Sequence, residues 1–271
     1  MSNVEQIIFE DEEGPTEEEL TKYTIEIPLW SNRWPQKALR GKLRSIGLRR
    51  FNQQYRNNPI NVEDLTFSFF ENTLVYGVNP ADIVPRGAEF YTGVDISSSR
   101  RPGSVIFSYA YDRKNDLRIV WGDLIKIGRW KGPELRDKLV FEYKRLNSRV
   151  IVVESNAIQQ TVIEFMREST KKGEDQLKLP LQSFSTQTTN KNHPDLGLES
   201  VNVAFENDKW RFLVEGRKHA DACICNMCKA IKEFTQHPSH PTTDIVMAAW
   251  FADNALKGKR KPRLYSMGIR R

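Results

Sequence analysis

The sequence predicts an α/β protein with a mixed sheet, in which three antiparallel strands come before parallel ones and helices flank the sheet. Three apolar or alternating segments separated by short polar connections, at 90–97, 104–111 and 117–127, indicate an antiparallel meander. A charged helical segment at 133–146 follows. The continuous apolar run 149–153 is then typical of a strand buried on both faces. A helix between strands favours a crossover, so we expect this strand to run parallel to its neighbour.

The rest of the chain divides by composition into flanking segments and one domain. Residues 1–20 are rich in acids, hold no basic residue and resemble a disordered arm. Residues 21–85 are linker-like and include a basic, partly apolar helix at about 35–55. We expect the folded domain to span 86–257, followed by a basic tail at 258–271 that can contact phosphates.

The second half of the domain continues the alternation of helices and strands. The predicted elements are a helix with an Ile158, Val162, Phe165 and Met166 stripe, a strand near 177–184, a polar loop at 186–195, a short hairpin turning at Asn207–Asp208, and helices at 219–235 and 243–257. This order of elements is that of the ribonuclease-H-like fold. In such a sheet the first and fourth strands are parallel neighbours.

Composition limits the possible partners and compartments. The 271 residues carry a formal net charge of +6 and a pI of about 9.1, which mildly favours a polyanionic partner. No apolar run approaches the roughly 18 to 20 residues of a membrane span, and the first residues lack a secretory signal pattern. We therefore expect a cytoplasmic protein without a membrane partner. Three cysteines, an odd number, argue against a disulfide framework.

Three acids stand where predicted elements begin or end. Asp95 follows the first strand, Glu154 follows the buried strand, and Asp244 opens the last helix. Because the first and fourth strands of this fold are neighbours, Asp95 and Glu154 are expected to converge. Carboxylates are the ligands that Mg²⁺ and Mn²⁺ prefer, and two such ions can drive phosphodiester hydrolysis. Taken singly, each acid also fits an ordinary strand end or helix cap.

Several other polar residues are candidates for contact with substrate phosphates. Lys191 lies in the polar loop, His240 precedes the last helix, and Ser97 follows Asp95 with two further serines. Each also fits an ordinary structural role, as a solvated loop residue, a turn residue or a strand-end serine. Thr242 or Thr243 is expected to cap the last helix.

The three cysteines, Cys223, Cys225 and Cys228, have a spacing similar to that of zinc ligands, and His219 is nearby. If the predicted helix is continuous through them, however, Cys223 and Cys225 point about 200° apart. We therefore expect a buried helix rather than a zinc site.

Four stretches together resemble the C-terminal nuclease domain of the large terminase subunits of tailed bacteriophages. They are Gly93-Val-Asp95-Ile, Val152-Val-Glu154-Ser-Asn156, Asn190-Lys191 with Phe205-Glu206-Asn207, and His240-Pro-Thr-Thr-Asp244 continuing to Phe251. Upstream, Trp34-Pro35 followed by Phe51-Asn-Gln-Gln-Tyr55 and Asn58-Pro59 is similar to the segment that joins the ATPase of that family to its nuclease. The resemblance covers roughly residues 25 to 257.

The resemblance implies a metal-dependent endonuclease that cuts concatemeric double-stranded DNA during genome packaging in the host cytoplasm. Its metal ligands would be Asp95, Glu154 and Asp244, holding two Mg²⁺ or Mn²⁺ ions. Its partners would be DNA, the ATPase part of the terminase, the portal and the small terminase subunit. No Gly-x-x-x-x-Gly-Lys-Ser/Thr occurs in the sequence, so no ATPase activity is expected from this chain alone.

Two alternatives stay open from the sequence. One is another ribonuclease-H-like phosphotransferase, such as a junction resolvase or a transposase. The other is a non-catalytic module that binds DNA and docks on the portal, with structural acids. Metal-dependent cutting of DNA separates the enzymes from the module.

Overall fold

The structure is a computed structural model that describes the chain in nine segments. They are residues 35–55, 67, 69–96, 103–130, 132–154, 178–186, 197–216, 225–236 and 244–259. The predicted acidic arm, the helix with the Ile158 stripe, most of the polar loop and nearly all of the basic tail lie outside these residues. The chain forms two compact units that divide after Asn57.

The described part of the first unit is one helix. Helix α1 spans Gln36–Tyr55 and is interrupted at Gly47, whose φ of 79° lies in the left-handed region that favours glycine. Leu39, Leu43 and Phe51 are buried together, with Ile46 and Tyr55 packed against them. The predicted helix at 35–55 is therefore confirmed, with a kink that the apolar pattern did not indicate.

The second unit is built on one eight-stranded mixed sheet, which confirms the predicted fold class. Its strands are β1 Leu74–Tyr76, β2 Glu89–Asp95, β3 Ser104–Asp112, β4 Leu117–Trp121, β5 Ile125–Gly128, β6 Val150–Glu154, β7 Leu181–Phe184 and β8 Trp210–Val214. The order is β1-β8-β4-β3-β2-β6-β7, and β5 pairs with β3. β3 runs antiparallel to β2, β4 and β5, whereas the other pairings are parallel.

Two of the predicted strands differ from those in the structure. The segment 117–127 is broken by a 3-10 turn at Gly122–Leu124, so β4 and β5 pair with opposite ends of β3. The predicted hairpin at Asn207–Asp208 is wrong. A helix precedes this turn, and β8 after it pairs in parallel with β1 and β4. The linker-like segment 21–85 thus contributes an edge strand, β1, to the sheet.

Five described helices belong to this unit: α2 Pro80–Ile83, α3 Gly132–Leu146, α4 Glu199–Glu206, α5 Asn226–Gln236 and α6 Asp244–Lys259. The start predicted for α5 is wrong, because Cys225 is not helical and the helix begins at Asn226. Helix α6 agrees with the predicted 243–257 and reaches into the predicted tail. None of the helices in the described segments has the length and apolarity that crossing a membrane requires.

The helices cover the two faces of the sheet with separate apolar cores. On one face, α3 buries Leu135 and Leu139 against Val94, Ile106 and Val153. On the other face, α5 and α6 join the larger core, whose residues alternate with the first set along β2, β3 and β6. Trp250 and Phe251 of α6 are fully buried in it. The sheet is therefore covered on both sides along β2 and β6, which accounts for the continuous apolar runs.

Helix α6 lies unusually close to β2. A Cβ atom placed on Gly93 would lie 2.0 Å from the carbonyl oxygen of Ala248 and 2.6 Å from the amide nitrogen of Ala252. Only a residue without a side chain allows this contact. Ala248, Ala249 and Ala252 are small and fully buried, so the helix backbone can approach the strand closely.

The C-terminal half of α6 is fixed by a buried ion pair. Nε of Arg118 donates to Oδ1 of Asp253 over 3.0 Å, and both side chains are almost completely buried. Burial alone would lower the pKa of Arg118, but the carboxylates of Asp253 and Asp116 raise it. Burial also raises the pKa of Tyr109, so its hydroxyl stays protonated and donates to the carbonyl of Ala252 over 3.2 Å.

We expect Gly93→Ala to destabilise the protein strongly, because the new methyl group would push α6 off the sheet. Overpacking a core costs roughly 1–3 kcal/mol, and a clash with backbone atoms belongs at or above the upper end of that range. Denaturant unfolding measures the loss. The matched control is Gly132→Ala, since a Cβ at Gly132 has no atom within 4 Å. Equal stabilities for the two variants would contradict the close contact.

Candidate metal centre

Asp95 and Glu154 lie side by side at one edge of the sheet. β2 and β6 run parallel, and their last register pair is Val94 with Val153. Asp95 and Glu154 are each one residue further on, at the carboxyl ends of their strands. Neighbouring strands lie about 4.8 Å apart, so the two backbones are within reach of one shared ion.

The side chains of Asp95 and Glu154 also share a face of the sheet. Along β2, Tyr91 belongs to the α6 core and Val94 to the α3 core. Along β6, Val152 belongs to the α6 core and Val153 to the α3 core. Side chains alternate between faces along a strand, so Asp95 and Glu154 both fall on the α6 face.

The course of α6 brings its first residue toward the carboxyl end of β2. Ala248 and Ala252 both lie against Gly93, while Asp253 pairs with Arg118. Through Tyr111 in β3, Arg118 is in register with Glu89 at the start of β2. Moving backward along α6 therefore means moving forward along β2. Asp244 is one turn before Ala248, about 6 Å of helix, and Asp95 is about 7 Å beyond Gly93. The first residue of α6 thus lies toward the strand ends.

The first turn of α6 is capped by a residue from another helix. Oε1 of Glu233 on α5 accepts hydrogen bonds from the amides of Ile245, at 2.8 Å, and Val246, at 3.1 Å. These are the second and third amides of the helix, the donors that an N-cap side chain normally satisfies. The predicted caps, Thr242 and Thr243, lie outside the described residues.

Glu233 is the titratable group of this region whose pKa is most clearly displaced. Burial raises the pKa of this carboxyl from its ordinary 4.5 to about 7. The two amide hydrogen bonds work in the opposite direction, and the nearby Asp244 carboxylate adds to the rise. The Asp244 carboxylate is therefore close enough to Glu233 to affect the pKa of its carboxyl group.

The chemistry of these side chains fits a hard divalent cation. All are carboxylates, and Mg²⁺ in proteins is held by only a few of them together with waters and substrate oxygens. Asp95 and Asp244 are 7% and 9% exposed, so each retains a small opening to solvent. Within the described segments, no three acidic, histidine or cysteine side chains stand in a cluster that could already hold an ion. The strand register brings Asp95 and Glu154 together, but these two carboxylates alone do not complete a metal site.

The other predicted site residues have no described position. Lys191, His240 and Ser97 lie outside the described residues, as do Cys223 and His219. Of the remaining cysteines, Cys225 precedes α5, and its Sγ accepts from the amide of Cys228 over 3.4 Å. Because α5 begins only at Asn226, the argument against zinc from a continuous helix does not hold at Cys225, and the absence of zinc stays a prediction.

Sequence reasoning missed Glu233. The signal was present, because Met227, Ala230 and Phe234 form the buried stripe of α5 and Glu233 lies next to Ala230, at the edge of that stripe on the helical wheel. A charged residue beside an apolar stripe is an indication of a buried partner. The partner itself was not visible from the sequence, since a cap from another helix is a non-local contact.

We expect Glu233 to make the metal-free protein less stable at high pH. Its folded pKa of about 7 lies above the ordinary 4.5, so folding favours the protonated form. This contribution is complete below about pH 4.5 and is lost as the pH rises through about 7. Glu233→Gln cannot ionise, so its advantage over the wild type should grow by up to about 3 kcal/mol between about pH 5 and pH 8. Denaturant unfolding in EDTA measures both proteins, and a constant difference would contradict the raised pKa.

Comparison with known proteins gives structural neighbours only. No protein-family model matches the sequence, and no curated protein matches it. Solved structures that align with the chain include three of terminase nuclease domains. The large terminase nuclease domain of bacteriophage SPP1 with bound Mn is 11% identical, with a TM-score of 0.42, covering 68% of this chain and 96% of its own.

Two further neighbours are structures of the human cytomegalovirus terminase nuclease domain. The Mn-soaked, inhibitor-bound one is 11% identical, with a TM-score of 0.43, covering 70% of this chain and 92% of its own. The second is 10% identical, with a TM-score of 0.44, covering 71% and 94%. The chain is thus similar to terminase nuclease domains, at a level of superposition that carries no argument about its activity.

Proposed function

We propose that this chain is a metal-dependent endonuclease that hydrolyses phosphodiester bonds of concatemeric double-stranded viral DNA during genome packaging. One observation carries the proposal. Asp95 and Glu154 end neighbouring parallel strands, and the helix that begins at Asp244 packs against β2 with its start toward the carboxyl end of that strand. Carboxylates gathered at one edge, with an opening to solvent, suit divalent cations that must also bind water and phosphate oxygens.

Asp95, Glu154 and Asp244 would hold two Mg²⁺ or Mn²⁺ ions. When bound, such a pair activates a water and stabilises the leaving oxygen in an in-line attack on phosphorus. The chain supplies the positions of the carboxylates. The β2–β6 register fixes Asp95 beside Glu154, and the N-terminal dipole of α6 favours the ionised form of Asp244.

Three further residues are proposed to contact the substrate. Lys191 would neutralise a phosphate charge, His240 would contact the scissile phosphate or a water beside it, and Ser97 would donate to a phosphate oxygen. Lysine, histidine and serine are suitable donors for anionic oxygens. The net charge of +6, which includes the strongly acidic first 20 residues, supports a polyanionic substrate for the remainder of the chain.

The wider setting of the activity follows from the sequence resemblance. In it, the nuclease acts in the host cytoplasm together with an ATPase part of a terminase, a portal and a small subunit. The chain lacks a Gly-x-x-x-x-Gly-Lys-Ser/Thr motif, so the ATP-driven step is assigned to another part of the assembly.

We expect the purified chain to nick and linearise supercoiled plasmid in Mg²⁺ or Mn²⁺, and to be inactive in EDTA. Asp95→Ala, Glu154→Gln and Asp244→Asn should each reduce cutting by more than about 100-fold, because loss of a ligand exceeds the about 10- to 100-fold cost of losing a residue that only supports one. The assay is plasmid cleavage on gels, with circular dichroism to confirm folding.

The control for these variants is Asp137→Asn. Asp137 is an exposed acid on α3, on the opposite face of the sheet, and it pairs with Arg136. Full cutting by folded Asp95→Ala would contradict the assignment of the site. Structure-selective cutting of DNA junctions, or strand transfer, would instead favour a resolvase or a transposase. Plasmid binding without cutting under any metal condition would favour a non-catalytic docking module.

A further inference from the structure

We propose that Glu233 is a positioning residue of the metal centre, which caps the first turn of α6 from α5 and thereby fixes where Asp244 presents its carboxylate. The inference rests on the proposed function, because Asp244 is a metal ligand only there, and it adds a residue that none of the motifs in the sequence contains. The role requires Glu233 as a hydrogen-bond acceptor and does not require it to touch a metal.

The geometry of the cap carries the inference. Oε1 of Glu233 accepts from two successive amides, those of Ile245 and Val246, at 2.8 and 3.1 Å. Asp244 immediately precedes them. A single oxygen shared between these donors fixes the position of the first turn along the helix axis and its rotation about that axis. Since Glu233 is only 6% exposed, water does not readily replace it as the acceptor.

Glu233 itself is held firmly because α5 is anchored to the sheet. Nδ2 of Asn226, the first residue of α5, donates to the carbonyl oxygen of Ile125 in β5 over 2.7 Å. Further along the helix, Met227, Ala230 and Phe234 are buried in the core of the α6 face. The helix is therefore fixed by a polar contact at its start and by apolar packing on both sides of Glu233.

The same sheet then links Glu233 to the other two acids. Ile125 pairs with Phe107 in β3, and Val105, two residues before Phe107, pairs with Asp95 in β2. A continuous path of hydrogen-bonded backbone thus runs from the anchor of α5 to the strand that ends at Asp95. Through the Glu233 cap, the N-terminus of α6 is held in a fixed position relative to the same sheet. Small shifts of ligand position are costly at a metal site.

The test compares Glu233→Ala, which removes the acceptor, with Glu233→Gln, which retains Oε1. Calorimetric titration of each protein with Mn²⁺ measures metal affinity without requiring turnover. We expect Glu233→Ala to bind Mn²⁺ at least about 10-fold more weakly than the wild type, and Glu233→Gln to stay within about threefold. Hydrogen exchange of the peptide containing Ile245 and Val246 should be at least about threefold faster in Glu233→Ala alone.

Two control variants separate the possible outcomes. Glu142→Ala removes a glutamate of α3 that is equally buried, at 3% exposed, and pairs with Arg145, so it should lower stability without changing Mn²⁺ affinity. Asp244→Asn should weaken Mn²⁺ binding while leaving the exchange of the Ile245 amide slow. Weak Mn²⁺ binding by Glu233→Gln would make Glu233 a ligand and overturn the positioning role.

The remaining outcomes distinguish this inference from the proposed function. Unchanged Mn²⁺ affinity in Glu233→Ala, beside a wild type that binds and cuts, would overturn the positioning role alone. A wild type that neither binds Mn²⁺ nor cuts plasmid would overturn the proposed function, and the positioning role with it. In that case the exchange comparison would still decide whether Glu233 caps α6.

Discussion

The close approach of α6 to β2 at Gly93 is the constraint on which the rest of this structure depends. Because the carbonyl of Ala248 lies where a side chain would begin, the helix cannot slide or rotate without losing the contact. Its direction then determines that Asp244 lies toward the carboxyl end of β2, where Asp95 is found. The packing of α6 against Gly93 thus determines where Asp244, a proposed metal ligand, lies. This packing accounts for an α6 that is apolar on nearly all sides, since the helix is buried between the sheet and its neighbours.

The two halves of α6 are held by different kinds of interaction. Near its C-terminal end, Asp253 pairs with Arg118, which also lies over the Tyr111 and Trp210 rings at 5.9 and 5.8 Å. Breaking such a buried pair costs about 3–5 kcal/mol, because one charge is left without compensation. At its start, the helix is held by the Glu233 cap. The ion pair thus lies at the opposite end of the helix from Asp244, the proposed metal ligand.

The parts of this fold that the sequence predicts are those with strong local patterns. β2, β3, β6 and α3 follow from apolar periodicity with polar boundaries, and α6 from its continuous apolar composition. β8 was mistaken for half of a hairpin because its partners, β1 and β4, are far away in the chain and its five residues carry no sign of direction. β1 was missed because three residues are too short to show a period. Asp95 and Glu154 were placed together only because the strand order was expected, and that order depends on pairing between distant segments.

Glu233 shows most clearly where sequence reasoning ends. Helix capping is usually local, so Thr242 and Thr243 were the natural expectation for α6, and a glutamate eleven residues upstream was not considered. Its position depends on how α5 packs, and α5 begins later than its apolar pattern suggested because Cys225 lies outside the helix. A cap supplied by another helix links two packing events, so that α6 is correctly placed only when α5 is. The position of Asp244 therefore depends on the packing of α5 as well as that of α6, rather than on one short motif.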